Sequence, residues 1–157
     1  MFEHFKSHLK NKVIILGIGN TLRSDDGAGS ILASRIKDKV HFLVFDSGSC
    51  PENYFGKIIK EKPDSIVIID AVDFGGSPGE FKILEAGEIK VVNLFSTHNA
   101  SISLAISYLQ TNLKADIIIL IIQPKSIIFG EKLSPEVAKS ISILEDWFFR
   151  LTKDVKY

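Results

Sequence analysis

Four apolar residues, Val13-Ile14-Ile15-Leu16, run without interruption into Gly17-Ile18-Gly19. An unbroken run closed by glycines suits a strand covered on both faces rather than one half open to water. Beyond the glycines the chain passes through Asn20-Thr21-Leu22-Arg23-Ser24 to two adjacent carboxylates, Asp25 and Asp26. Ala28, Leu32 and Ile36 then recur at helical spacing, with Ile31 beside them. Either aspartate can serve as N-cap of that helix, and Lys37 and Lys39 suit its C-terminal end. This order places acids at the edge of a sheet.

The same alternation continues. Val40 to Phe45 reads as a second strand, ended by Asp46-Ser47-Gly48-Ser49. Pro51 fits the first helical position after a Ser49 or Cys50 cap. Phe55, Ile58 and Ile59 form that helix's apolar face, and Pro63 stops it. Ser65 to Ile69 is a third buried strand, closing on Asp70-Ala71-Val72-Asp73. Phe81 to Leu84 alternates like an edge strand. Ser96 or Thr97 caps a helix carrying Ile102, Ile106, Leu109 and Leu113, and Ile117 to Ile122 is a further buried strand. Ser134-Pro135-Glu136 opens the last helix, whose stripe is Val137, Ile141, Leu144, Phe148 and Leu151.

Buried strands alternating with helices predict an α/β fold: a three-layer sandwich, its twisted sheet mainly parallel (mixed), of about five strands, with helices on both faces. The 157 residues suit a single domain, 1–157, with residues 1–11 as an N-terminal arm, a helical turn or a frayed end.

Nineteen basic residues balance nineteen acidic ones, so no charge excess points to nucleic acid or a membrane surface. The longest apolar run, Ile117 to Ile122, is too short to span a bilayer. The single cysteine, Cys50, cannot pair within the chain, and Met1 to Asn11 lacks the apolar core of a signal peptide. A soluble cytoplasmic protein is expected, and a monomer, because no strongly apolar helix face is left over.

In open α/β sheets ligands sit outside the carboxyl ends of the strands. The polar residues expected there are Asn20, Asp25 and Asp26, then Asp46, then Asp70 and Asp73, with His98 at the start of a helix. Gly17-Ile18-Gly19 begins like a dinucleotide loop, but Leu22 stands where the third glycine belongs. Two acids at the helix start also repel a pyrophosphate, so no nucleotide cofactor is expected.

A metal fits the same residues better. Two carboxylates and an imidazole from different strand ends can converge on a divalent ion and leave a position open for water or substrate. A helix N-terminus disfavours imidazolium, which keeps His98 in the form that binds metal. The plainer alternative is that Asp26 caps a helix, Asp70 caps a turn and His98 is an ordinary first-turn histidine. Asp46 and Asp73 can orient ligands or contact substrate, or simply serve turns. Cys50, ahead of Pro51, suits a small core or cap residue better than a nucleophile.

These segments resemble the hydrogenase maturation endopeptidases, which process the large subunit of nickel–iron hydrogenases. The resemblance begins in residues 17–29 and continues through Asp46-Ser47-Gly48-Ser49-Cys50-Pro51-Glu52-Asn53. It runs on in Ile69-Asp70-Ala71-Val72-Asp73 with Pro78-Gly79-Glu80, in Ser96-Thr97-His98-Asn99 and in Ile122-Gln123-Pro124. The segments at Pro51 and Thr97 are most similar to the branch serving formate-hydrogenlyase-type (hydrogenase 3-like) enzymes.

The resemblance implies a hydrolase: a metal-dependent or aspartyl-type endopeptidase that removes a C-terminal extension from the nickel-loaded large-subunit precursor. It implies Asp26, Asp70 and His98 as metal-contacting and catalytic residues, with the nickel carried by the substrate. It makes Asp46, Ser47, Gly48 and Ser49 a substrate-recognition loop, where another branch carries Asp-Gly-Gly-Thr. It casts Asp25 as the structural member of the acid pair and Asp26 as the functional one. A non-catalytic nickel-sensing chaperone or regulator would use the same three residues.

Overall fold

The computed structural model describes residues 1–91 and 100–154, the side chains of 89–91 excepted. His98 and the expected caps Ser96 and Thr97 lie outside the described residues. The elements in chain order are α1 (Phe2–Ser7), β1 (Val13–Gly17), α2 (Ala28–Ile36), β2 (Leu43–Asp46), α3 (Phe55–Glu61), β3 (Ser65–Ala71), β4 (Phe81–Glu85), α4 (Ala100–Asn112), β5 (Asp116–Ile122) and α5 (Pro135–Asp154). Short 3-10 turns at Ser24–Gly27 and Pro51–Tyr54 lead into α2 and α3.

The five strands form one sheet in the order β2-β1-β3-β5-β4. All pairings are parallel except β4 against β5, which is antiparallel at the edge, so the sheet is mixed and mainly parallel as expected. Strand alternation divides the core into two layers. Ile15, Val67, Ile69, Ile118 and Leu120 pack with Leu32 of α2 and with Val137, Ile141, Leu144 and Phe148 of α5. Ile14, Leu16, Ile66, Ile68, Ile119 and Ile121 pack with Phe55 and Ile58 of α3 and with Ile102, Ile106 and Leu109 of α4. Helices therefore cover both faces, and the unbroken apolar runs of β1, β3 and β5 follow from burial on both sides.

Ser134 caps α5 through its Oγ, which accepts from the Val137 N–H at 3.3 Å. Lys62, just before Pro63, closes α3 in the left-handed conformation. Two local expectations shift. The second strand starts at Leu43 rather than Val40. The first long helix starts at Ala28, with Gly27 at its cap position and no side-chain cap, because Asp25 and Asp26 are held in the preceding 3-10 turn. The N-terminal arm is docked: Phe5 is fully buried against Phe148 and Trp147, and Phe2 packs edge-on to Trp147. No helix among the described residues is long and apolar enough to cross a membrane.

Candidate active site

The glycine turn after β1 exists to bring backbones together. A Cβ on Gly29 would lie 2.2 Å from the Ile69 carbonyl oxygen and 2.3 Å from that of Ile18. One on Gly19 would meet the Asp26 carbonyl oxygen at 2.4 Å. The start of α2 therefore lies directly on the ends of β1 and β3. The Ile18 N–H donates to the Ile69 carbonyl at 2.8 Å, and Asp70 follows immediately. This close packing brings Asp26 up to Asp70, as a strand-end site requires.

The two adjacent aspartates have opposite roles in the structure. Asp25 is fully buried and staples a distant loop. Its Oδ2 accepts the Lys125 and Ser126 N–H groups at 2.9 and 3.2 Å, and its Oδ1 accepts the Ser134 N–H at 2.7 Å. Three N–H donors satisfy a buried carboxylate. Asp26 is half-buried, and among the described residues its carboxylate accepts a single long bond, from the Asn20 N–H at 3.3 Å to Oδ2. Its Oδ1 has no hydrogen-bond partner among the described residues.

Asp70 is 7% exposed at the end of β3. Burial, and then the nearby charge of Asp26, push its pKa well above the usual carboxylate range, and the Ala71 N–H offsets only part of this. By alternation with Ile66 and Ile68, Asp70 belongs to the sheet face covered by α3 and α4. The structure thus brings Asp26 and Asp70 together, while His98 lies outside the described residues. Among the described residues no group of three or more metal-ligating side chains is assembled.

The loop after β2 is tied to the glycine turn. Asp46 Oδ1 accepts the Ser30 hydroxyl at 2.5 Å and the Gly48 N–H at 3.3 Å. Ser47 is buried, and both its N–H and its Oγ donate to the Gly17 carbonyl, at 2.9 and 2.8 Å. The Gly19 N–H donates to the Gly48 carbonyl at 2.8 Å, and Gly48 takes a φ of +55° that favours glycine. Asp46 and Ser47 are thus engaged internally, and Ser49 is the exposed member of the loop.

Asp73 is an exposed turn residue. Its Oδ1 accepts from the Gly75 N–H and the Gln123 amide, and these two bonds hold its carboxyl below the usual range. Gln123 is buried and also accepts the Phe74 and Gly76 N–H groups at 2.9 and 3.1 Å. Its place as organiser of the loop after β3, like the staple made by Asp25, is invisible in sequence, because both depend on partners far along the chain. Cys50 is exposed and free.

Known proteins match this chain along most of its length. Residues 27–150 match the family model described as HycI, hydrogenase maturation protease. The hydrogenase 3 maturation protease of Escherichia coli strain K12 is 31% identical over 140 residues, covering 85% of this chain and 89% of that protein. The crystal structure of a NiFe hydrogenase maturation protease HycI from Thermococcus kodakarensis KOD1 superposes with a TM-score of 0.84 at 31% identity, covering 96% of this chain and 99% of that one. The solution structure of the endopeptidase HycI from Escherichia coli gives 0.78 at 28% identity, covering 89% and 90%. A family model spanning most of the chain, a relative matched along nearly its whole length and a shared fold lead to one conclusion: the chain belongs to the hydrogenase maturation protease family.

Proposed function

We propose that this hydrogenase maturation endopeptidase removes a C-terminal extension from the nickel-loaded precursor of a nickel–iron hydrogenase large subunit, and acts as a monomer in the cytoplasm. The observation that carries the reading is the Asp26–Asp70 pair at the strand ends of a chain of this family.

The donor chemistry fits a divalent cation. Two carboxylates lie close together, one of them buried and protonated more readily than usual, and a cation relieves both the burial cost and the mutual repulsion. Asp26 and Asp70, with His98, would contact the nickel that arrives with the substrate. Such an ion polarises the scissile carbonyl or acidifies a water next to it.

Asp26 is the general base, being half-buried with an Oδ1 that no described residue engages. It takes a proton from the attacking water as the new carbon–oxygen bond forms. It returns that proton to the leaving amine as the peptide carbon–nitrogen bond breaks. Asp70, fixed in β3, orients the substrate against Asp26. Ser49 and Gly48 present the recognition edge of the loop whose inner residues, Asp46 and Ser47, hold it in shape.

The raised pKa of Asp70 beside Asp26 also favours a second reading, in which the pair shares one proton and hydrolyses the bond as an aspartyl-type dyad. Incubation of the purified protein with nickel-loaded and nickel-free precursor, followed by mass spectrometry of the precursor's C-terminus, separates the two. Cleavage of the loaded form alone supports the metal-dependent route, and equal cleavage of both supports the dyad. A stable complex with no mass loss indicates a nickel-sensing chaperone or regulator. If Asp26→Asn, Asp70→Asn and His98→Ala all retain full activity, the assignment of roles is wrong.

A further inference from the structure

The most exposed large apolar side chains of the described residues stand on the segment stapled to Asp25. Ile128 is 70% exposed and Phe129 84%, and Leu22 is 48% exposed across the Arg23–Gly130 bridge. A surface loop bearing such side chains is ordinarily free to fold them away from water. Here the backbone is held in place. The Gly130 N–H donates to the Leu22 carbonyl at 2.8 Å, and the Ser24 N–H donates to the Gly130 carbonyl at 2.7 Å. Ser24 Oγ donates to the Ile128 carbonyl at 2.8 Å, and Arg23 Nε to the Ile127 carbonyl at 3.1 Å. Ser24 adopts a φ of +50°, a strained conformation for a residue with a Cβ, and these bonds hold it there.

We propose that Leu22, Ile128 and Phe129 form the docking platform for the precursor polypeptide, receiving apolar residues that flank the scissile bond. The proposal rests on the endopeptidase reading above. Its ground is continuity with the site: Ser24, to which the loop is bonded, and Asp26 belong to the same 3-10 turn. A peptide bond presented to Asp26 therefore brings its flanking residues alongside this loop. A rigid aromatic anchor next to the reacting groups gives affinity at small entropic cost. A second copy of this chain is the poorer occupant, because covering the loop would crowd the approach to Asp26.

The test is the double variant Ile128→Ala, Phe129→Ala, with a thermal melt to show that the fold is intact. The purified nickel-loaded large-subunit precursor serves as probe, in cleavage kinetics with the wild-type catalytic residues. Binding of the uncut precursor is compared in an Asp26→Asn background with and without the double change. The expected result is a KM and a Kd raised at least about tenfold, as for a truncated hot spot. The kcat should stay within about twofold, the pattern of lost uniform binding.

Unchanged KM and Kd overturn the platform while leaving the endopeptidase reading intact. The platform is equally overturned if the wild type sediments as a dimer that the double variant dissolves, with KM unchanged. If the wild type does not cut the precursor, the endopeptidase reading fails and the platform for residues flanking a scissile bond is overturned with it, an outcome distinct from intact cleavage with unchanged KM and Kd.

Discussion

Asp70, buried at the end of β3, has its pKa raised by burial and further by the charge of Asp26. One residue comes from a strand and the other from a turn more than forty positions earlier, and close packing over Gly29 joins them. Ionised Asp70 is therefore destabilising in the folded chain. The native state keeps a proton that the unfolded chain has already lost, so stability falls as pH rises from the ordinary carboxylate range up to the folded pKa of Asp70. Asp70→Asn should raise Tm at neutral pH, at about 2–4 °C per kcal/mol recovered, and flatten this pH dependence. It should also abolish cleavage. Differential scanning calorimetry between acid and neutral pH checks the first pair of effects, and a lower Tm at neutral pH would refute the account.

Asp26→Asn removes the neighbouring charge while keeping the shape. The titration of Asp70, followed by carboxyl carbon NMR, should move back toward the ordinary range but not reach it, since burial remains the larger cause. Cleavage of the precursor should drop by about a hundredfold or more, the scale of a lost general base. An unmoved Asp70 titration would show that the two groups do not communicate.

Asp25→Ala should act on stability instead. It removes the buried carboxylate that accepts from three part-buried backbone N–H groups, those of Lys125, Ser126 and Ser134. The loss is expected at about 3 kcal/mol or more, read as a shifted denaturation midpoint. The residual activity of the folded fraction should exceed that of Asp26→Asn.

Gly29→Ala puts a methyl group against two carbonyl oxygens belonging to the backbone, which have no flexible end to give way. A destabilisation of about 2 kcal/mol or more follows. Asp70 sits next to Ile69, so the site should be displaced as well. Urea denaturation together with cleavage kinetics of the folded fraction checks both effects.

Phe5→Ala tests the docked arm. Phe5 is fully buried between Trp147 and Phe148, so truncation should cost about 3 kcal/mol. A frayed arm would cost almost nothing in the same melt.

The amino-acid sequence alone determined the layering. The unbroken runs of β1, β3 and β5, the alternating edge strand β4 and the long stripe of α5 are local patterns, and burial on one face or two is written into their periodicity. The strand-end acids could be listed for the same reason, and the motif resemblance led to the family that the comparisons show. Element ends were less legible. The cap expected from Asp25 or Asp26 gave way to a 3-10 turn, because Asp25 finds better partners in a loop a hundred residues on.

Only the tertiary structure separated the two aspartates by their surroundings. Both are adjacent acids before a helix, and nothing local distinguishes them. Folding buries Asp25 under three N–H donors and leaves Asp26 half-open beside Asp70. The opening glycines also acquired their meaning there. The missing Cβ of Gly19 makes room for a carbonyl oxygen of the turn itself, and that of Gly29 for the Ile69 carbonyl of β3, a contact that exists only because strands distant in sequence are neighbours in the sheet.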